Sequence, residues 1–197
     1  YDVTQFEYPD DLDDCDGYLI TGSRHSVYEP IEWITRLGEF VVELNAAKKK
    51  LVGICFGHQL VAHVLGGRTA KSSKGWGVGR HETTLLDPSR PQWSSEFGLL
   101  SSHQDQVQSL PQQARVIAQS DFCPIAGMAI GDHIVTLQGH PEFTKAYARD
   151  LLGVRRELLG ETLYQQGVDS LDEEVHQDRV ALIITDFLAE AAADTAA

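Results

Sequence analysis

The chain predicts an α/β fold, a three-layer sandwich around a central, mostly parallel sheet, and three observations carry that expectation. Strand-like apolar runs alternate with segments of helical period, without a repeat or a linker. One such run, Leu51-Val52-Gly53-Ile54, passes through Cys55 straight into apolar residues at helical spacing from Gln59 to Leu65, so the chain turns sharply from strand to helix. Hydrophobic residues make up 42% and charged residues 23% of 197 residues, ordinary for one globular domain over 1–197 that can bury a full core.

Taken in order, the segment 16–21 (DGYLIT) reads as a strand ending at a Gly22 loop. Residues 31–48 form an amphipathic helix with Trp33, Leu37, Phe40, Val41 and Leu44 on one face. The three lysines 48–50 suit its C-terminus, where cations meet the negative end of the helix dipole. After the strand at 51–54 and the helix that follows, strands are expected at 76–86, 115–119, 125–130 and 134–138. Helices at 146–159 and 179–190 close the chain, and the alanine-rich tail beyond them is expected to fray. In such a sheet the functional site belongs at the carboxyl ends of the strands.

Charge and composition exclude several roles. A net charge of −13 argues against nucleic-acid or anionic-membrane binding. No apolar run is long enough to span a bilayer, and the acidic N-terminus does not read as a signal peptide. Three widely spaced cysteines suggest no disulfide framework, so Cys15 and Cys123 are expected as reduced thiols in a cytoplasmic protein.

The chemistry concentrates in two motifs. In the segment 53–59 (GICFGHQ), Cys55 is flanked by Gly53 and Gly57, neither of which has a Cβ to crowd a tight turn. A thiol at a helix N-terminus sees a partial positive charge that favours thiolate, and the same free N–H groups can stabilise an oxyanion. His140 lies eighty-five residues downstream of Cys55, in the segment 138–143 (QGHPEF) that follows a strand-like run at 133–137. Pro141 biases His140 towards extended backbone, so His140 and Glu142 can point the same way. A histidine to move the proton and a carboxylate to orient it are what a cysteine nucleophile requires.

Together these motifs resemble the class I glutamine amidotransferases, which carry a G-x-C-x-G-x-Q elbow and a later H-P-E forming a Cys-His-Glu triad. The segment 21–27 (TGSRHSV) is similar to that family's loop after an early strand. The segment 102–107 (SHQDQV), with Leu110-Pro111 and the later 123–126 (CPIA), is similar to the guanylate synthetase amidotransferase domain. The resemblance implies a flavodoxin-like α/β fold and catalysis by Cys55, His140 and Glu142. It also implies an oxyanion hole from the Phe56 N–H and the Gly22–Ser23 loop, and substrate contacts from Gln59, Ser102, His103 and Gln104. No cofactor and no metal are implied. Tyr1 to Tyr8 would correspond to the family's second strand, with its first strand and helix missing from this chain.

Three departures bear on the substrate pocket. Gly139 stands where many members have an aromatic residue, Gln104 replaces a glycine, and Ser23-Arg24 replaces Gly-Pro. The resemblance is closest to stand-alone members, including γ-glutamyl peptidases that carry G-H-P-E. It therefore implies a small-molecule substrate, glutamine or a γ-glutamyl compound, with either plain hydrolysis or ammonia transfer to a separate synthetase subunit as the outcome. Oligomeric state is not legible. Other readings carry less. Gly75-x-Gly77-x-Gly79 is followed by strand-like residues rather than the helix a nucleotide loop needs. Cys55, His58 and His63 lack a second pair at zinc-site spacing. A non-catalytic binding module on the same fold is the alternative from another class.

Overall fold

The computed structural model describes the backbone of residues 1–194 and the side chains of residues 1–190. Along it run β1 (Gly17–Ile20), α1 (Glu32–Ala46), β2 (Lys50–Ile54), α2 (Phe56–Val64), β3 (Arg68–Lys71) and β4 (Gly77–Leu85). There follow β5 (Ser95–His103), β6 (Asp105–Ser109), β7 (Ala114–Gln119), β8 (Gly127–Ile130), β9 (Ile134–Leu137), α3 (Lys145–Leu159), α4 (Glu161–Ser170) and α5 (Gln177–Asp194). The end of the alanine-rich tail, for which fraying is expected, lies outside the described residues.

The main sheet has the order β1-β2-β9-β8-β7-β4-β5, and β3 pairs with β6 in a separate ribbon. Parallel pairing joins only β1 to β2 and β2 to β9; the remaining pairs are antiparallel. The sheet is thus mixed, with parallel strands in one half, for a simple reason. Strands β7, β8 and β9 follow one another through connections too short for a crossover helix, and short connections force antiparallel neighbours.

Strand alternation divides the core between two faces. Leu51 of β2 and Ile134 of β9 pack with Leu37, Val41 and Leu44 of α1 and Leu60 of α2. Val52, Ile54, Val135 and Leu137 point the other way and pack with Val180, Ile184 and Phe187 of α5. Helices cover both faces, which makes the three layers. A third cluster joins Ala148 and Leu152 of α3 to Val78 and Leu100, seating α3 across the end of β4 and β5.

The expected strand at Tyr1 to Tyr8 is not formed. Asp2 caps a 3₁₀ turn over Val3–Gln5 by accepting the Thr4 N–H, and Phe6 closes it in the left-handed region at φ 61°. Such local side-chain capping offers the backbone an alternative to a sheet ladder. The other expected elements are present within a few residues; β3, β5, β6 and α4 are additions.

Candidate active site

Strand β2 delivers Cys55 to the end of the parallel half of the sheet, and β9 delivers His140 beside it. Their register pairs Ile54 with Leu137, and the Cys55 N–H extends the ladder by donating to the Leu137 carbonyl at 2.8 Å. Cys55 itself bears the turn's unusual backbone, with φ 50° and ψ −97°. A non-glycine residue there costs about 1–3 kcal/mol, which the packed elbow must sustain. The two flanking glycines serve close approach. A Cβ on Gly53 would sit 2.7 Å from the Gly57 carbonyl, and one on Gly57 would strike the Ile20 backbone of β1.

Beyond β9, His140 bridges to Leu100 of β5, donating its N–H to that carbonyl at 2.8 Å, so it is extended as Pro141 suggests. Its Nδ1 lies 2.7 Å from Glu142 Oε1, which fixes Nδ1–H as the donor and leaves Nε2 for proton exchange. The Phe143 ring stacks on the imidazole with centroids 3.8 Å apart. Burial pulls the His140 pKa down, but its interactions with Cys55 and Glu142 outweigh this and lift it from 6.5 to about 9. The direction of that shift favours the protonated imidazole. That is the electrostatic setting in which cysteine acts as a nucleophile.

Gly22 closes the opposite wall. A Cβ there would lie 2.9 Å from His140 Cε1, so glycine lets the loop after β1 come this close to the imidazole, with Cys55 Cβ at an ordinary contact distance of 3.8 Å. Asp105 anchors that loop from across the cleft, accepting the Ser26 hydroxyl at 2.5 Å and the Tyr28 hydroxyl at 3.0 Å. Phe56 turns its ring away onto Trp33, at 5.6 Å between centroids. Only its backbone N–H, at the head of α2 where helical donors are unpaired, can face a reacting group.

Cys55 sits where two lobes of one cleft meet. The smaller, about 200 Å³, includes Ser23, Gln59, Ser102, His103 and Gln104. The larger, about 670 Å³, includes Gly22, Ser23, His140, Glu142 and the flank of α3. The residues picked out by sequence are therefore gathered around one sulfur, yet their side chains differ in availability. Gln59 is buried and donates to the Asp105 carbonyl at 2.8 Å and to Gln138 Oε1 at 3.1 Å. The Ser102 hydroxyl is taken by Arg155 Nη1 at 2.5 Å. His103 holds the Asp105 carbonyl at 3.0 Å through Nδ1, and burial drives its pKa down to about 3. Gln104 makes no side-chain hydrogen bond among the described residues and is the one left open to a ligand.

Four residues of the site carry no role in the sequence reading. Gln138 donates to Cys55 Sγ at 3.5 Å and accepts from Gln59, and its place in the segment before His140 is the available signal. Phe143 stands in the same segment. Tyr147 and Arg155 lie on α3, where nothing local marks them. His58 belongs to the core, bonded to Thr136 Oγ1 at 2.7 Å and the Ile125 carbonyl at 3.1 Å. His63 Nδ1 is buried without a partner among the described residues. Among the described residues no group of three His, Cys, Asp or Glu side chains is arranged for a metal, and no helix is long and apolar enough to cross a membrane.

Comparison with known proteins agrees with the fold and shows the family. The family model described as glutamine amidotransferase class-I matches residues 1–151. Gamma-glutamyl peptidase 3 of Arabidopsis thaliana is 36% identical over 149 residues, 72% of this chain and 60% of that protein. Gamma-glutamyl peptidase 2 of the same plant is 30% identical over 192 residues, 93% of this chain and 77% of that protein. A GMP synthase [glutamine-hydrolyzing] of Thermomicrobium roseum is 31% identical over 179 residues, 86% of this chain but 33% of that protein. The chain thus spans 60% of the first of these relatives and a third of the synthase. In fold, a glutamine amidotransferase of Thermotoga maritima superposes with a TM-score of 0.74 over 96% of this chain and 83% of its own, at 18% identity. The matched family model and these relatives lead to one conclusion: the chain belongs to the class I glutamine amidotransferase family.

Proposed function

We propose that this protein is a cysteine hydrolase of γ-glutamyl compounds, acting through a Cys55-His140-Glu142 triad and a γ-glutamyl thioester. The observation that carries the reading is geometric: Cys55, on its strained elbow, opens into the same cleft as His140, whose Nδ1 lies 2.7 Å from Glu142 Oε1. Cys55 Sγ attacks the γ-carbonyl carbon, and the resulting oxyanion is held by N–H groups of Phe56 and of the Gly22–Ser23 loop. Imidazolium His140 gives its proton to the departing nitrogen, the C–N bond breaks and the amine leaves. Water then enters, His140 takes its proton, and attack on the thioester frees the γ-carboxylate and restores the thiolate–imidazolium pair. Glu142 keeps Nδ1 protonated and the ring in place throughout. The smaller lobe takes the glutamyl α-amino and α-carboxyl groups, with Gln104 the most available of its side chains and Gln59, Ser102 and His103 shaping its wall. Free thiols at all three cysteines support a cytoplasmic setting.

Similarity to a glutamine-hydrolysing synthase supports a second reading, in which glutamine is the substrate and ammonia passes to a separate synthetase subunit. The two are separated by assaying the purified chain on glutamine and on γ-glutamyl dipeptides, with a diazo-ketone glutamine analogue as covalent probe. Turnover of dipeptides, with labelling confined to Cys55, is the expected result. Silence on dipeptides with glutaminase activity appearing only beside a partner would favour the second reading. Labelling of another cysteine with Cys55 untouched would end the triad assignment, and silence throughout would favour a binding role.

A further inference from the structure

We infer that Arg24 and Arg155 form a carboxylate clamp for the leaving group, so that the larger lobe accepts an apolar amino acid with a free α-carboxylate. The inference deepens the hydrolase reading and rests on it for the chemistry.

Three basic side chains without an ion pair among the described residues line the cleft; Lys71 borders only the smaller lobe, whereas Arg24 and Arg155 border both. Arg36, Arg80, Arg90, Arg115 and Arg156 each pair with a carboxylate, and Arg68, Arg149 and Arg179, which have no ion pair among the described residues, line neither lobe. Arg24 and Arg155 form no ion pair among the described residues, although both line both lobes of the cleft at Cys55. Arg155 is nonetheless held firmly. Its Nη1 donates to the Ser102 carbonyl at 3.2 Å and to the Ser102 hydroxyl at 2.5 Å, and its guanidinium lies 5.0 Å over the Trp76 ring. Its remaining N–H groups have no protein acceptor among the described residues. A half-buried guanidinium fixed by a carbonyl and an aromatic face is preorganised for a planar anion, and the ordering cost of binding is already met.

Next to this charge runs an apolar flank. Tyr147, Leu151 and Val154 line the larger lobe at spacings of four and three residues on one face of α3, and Phe143, just before the helix, joins them. Val154 is 85% and Tyr147 51% exposed, so the apolar surface of this flank is open to a ligand. Glutamine releases only ammonia and would leave both features unused. A γ-glutamyl amino acid such as γ-glutamyl-leucine uses both: its side chain rests on α3 and its carboxylate meets the two arginines.

Binding to the Cys55→Ala chain tests this without relying on turnover, by titrating γ-glutamyl-leucine against γ-glutamyl-leucinamide, which differs only in the leaving-side carboxylate. The acid is expected to bind at least about tenfold tighter, as a charge-assisted pair implies. Arg24→Gln, at an exposed position whose loss does not threaten folding, and Arg155→Gln should each cut that ratio, and the double variant should bring it near one. In the chain with Cys55 intact, the same ratio should appear in kcat/KM. Equal binding of acid and amide overturns the clamp. So does a parallel loss on glutamine and both peptides in the arginine variants, which would place these residues at the glutamyl end. A clamp seen in binding while Cys55 resists the covalent probe and no γ-glutamyl compound is turned over would instead sink the hydrolase reading alone. Failure of either peptide to bind, with a protein partner found on the α3 face, would overturn the clamp and reassign that face to the partner.

Discussion

Replacing Glu142 by Gln deletes a charge while preserving a shape. The amide oxygen of the new side chain can still accept from His140 Nδ1 at about the present 2.7 Å, so the ring keeps its tautomer and orientation. The electrostatic support of the imidazolium is lost. Glu142 is about half exposed, its side chain at 49%, so solvent screens the pair and its worth is about 1–2 kcal/mol rather than the value of a buried ion pair. By linkage that is about one pH unit, so the His140 pKa should fall by about that much from its present value of about 9. Two assays read the change. The imidazole titration followed by NMR should move down by about that amount. The alkaline limb of kcat/KM on a γ-glutamyl dipeptide should move with it, while the rate at pH 7 falls about 5–30-fold. His140→Ala removes the proton carrier and should cost about 10²–10⁴-fold. An unmoved alkaline limb, or a loss in Glu142→Gln as deep as in His140→Ala, would refute the division of labour between the two residues.

Further outcomes follow from the same geometry. Cys55→Ala should abolish turnover with an unchanged fold by circular dichroism. A thiol-directed reagent at neutral pH should leave Cys123 unmodified in the folded chain, since burial raises that thiol to about 12. Gly57→Ala should lower stability by about 3 kcal/mol or more in denaturant melts, because its methyl group would collide with the Ile20 backbone and the elbow cannot yield there. Stability should also fall between pH 7 and pH 5. His58 and His103 have folded pKa values of about 4 and about 3 against 6.5 unfolded, so the unfolded chain binds protons first and each residue costs about 2 kcal/mol by pH 5. His140, raised to about 9, acts in the opposite sense: its stabilisation is complete below about 6.5 and is lost as pH rises through 9, returning less than about 1 kcal/mol over the same acid window. A flat denaturation midpoint from pH 7 to pH 5 would contradict the burial of the two neutral imidazoles.

Legibility in the sequence follows locality. The Cys55 elbow and the His140-Pro141-Glu142 segment are readable because a strand end, a sharp turn and a helix start each leave a signature within a few residues. Nothing local marks Arg155, a helix-surface arginine a hundred residues from Cys55, yet it occupies the Ser102 hydroxyl that sequence assigns to the substrate. Strands β5 and β6 are hard to read because Ser95–His103 and Asp105–Ser109 mix polar residues with apolar ones, and β5 draws its partners from β4 and α3 rather than from its own pattern. The mixed sheet is hidden because alternating elements suggest crossovers, whereas the short connections between β7, β8 and β9 allow none. Tyr1 to Tyr8 has the apolar content of a strand, but the Asp2 cap decides its backbone.

The parallel ladder between β2 and β9 makes the site a gauge of sheet register during folding. Leu51 meets Ile134 across more than eighty residues of intervening chain, a contact that forms only after a large loop has closed. A slip of one residue would point β9's core side chains at the wrong face and would be rejected by packing. A slip of two keeps the faces right and is the error that packing punishes least, but it carries His140 about 6.6 Å along the strand direction, out of reach of Cys55. A population refolded into that register would look native in secondary structure and be inert. The ratio of titratable Cys55 sites to folded protein, followed through refolding, therefore counts correctly registered sheets.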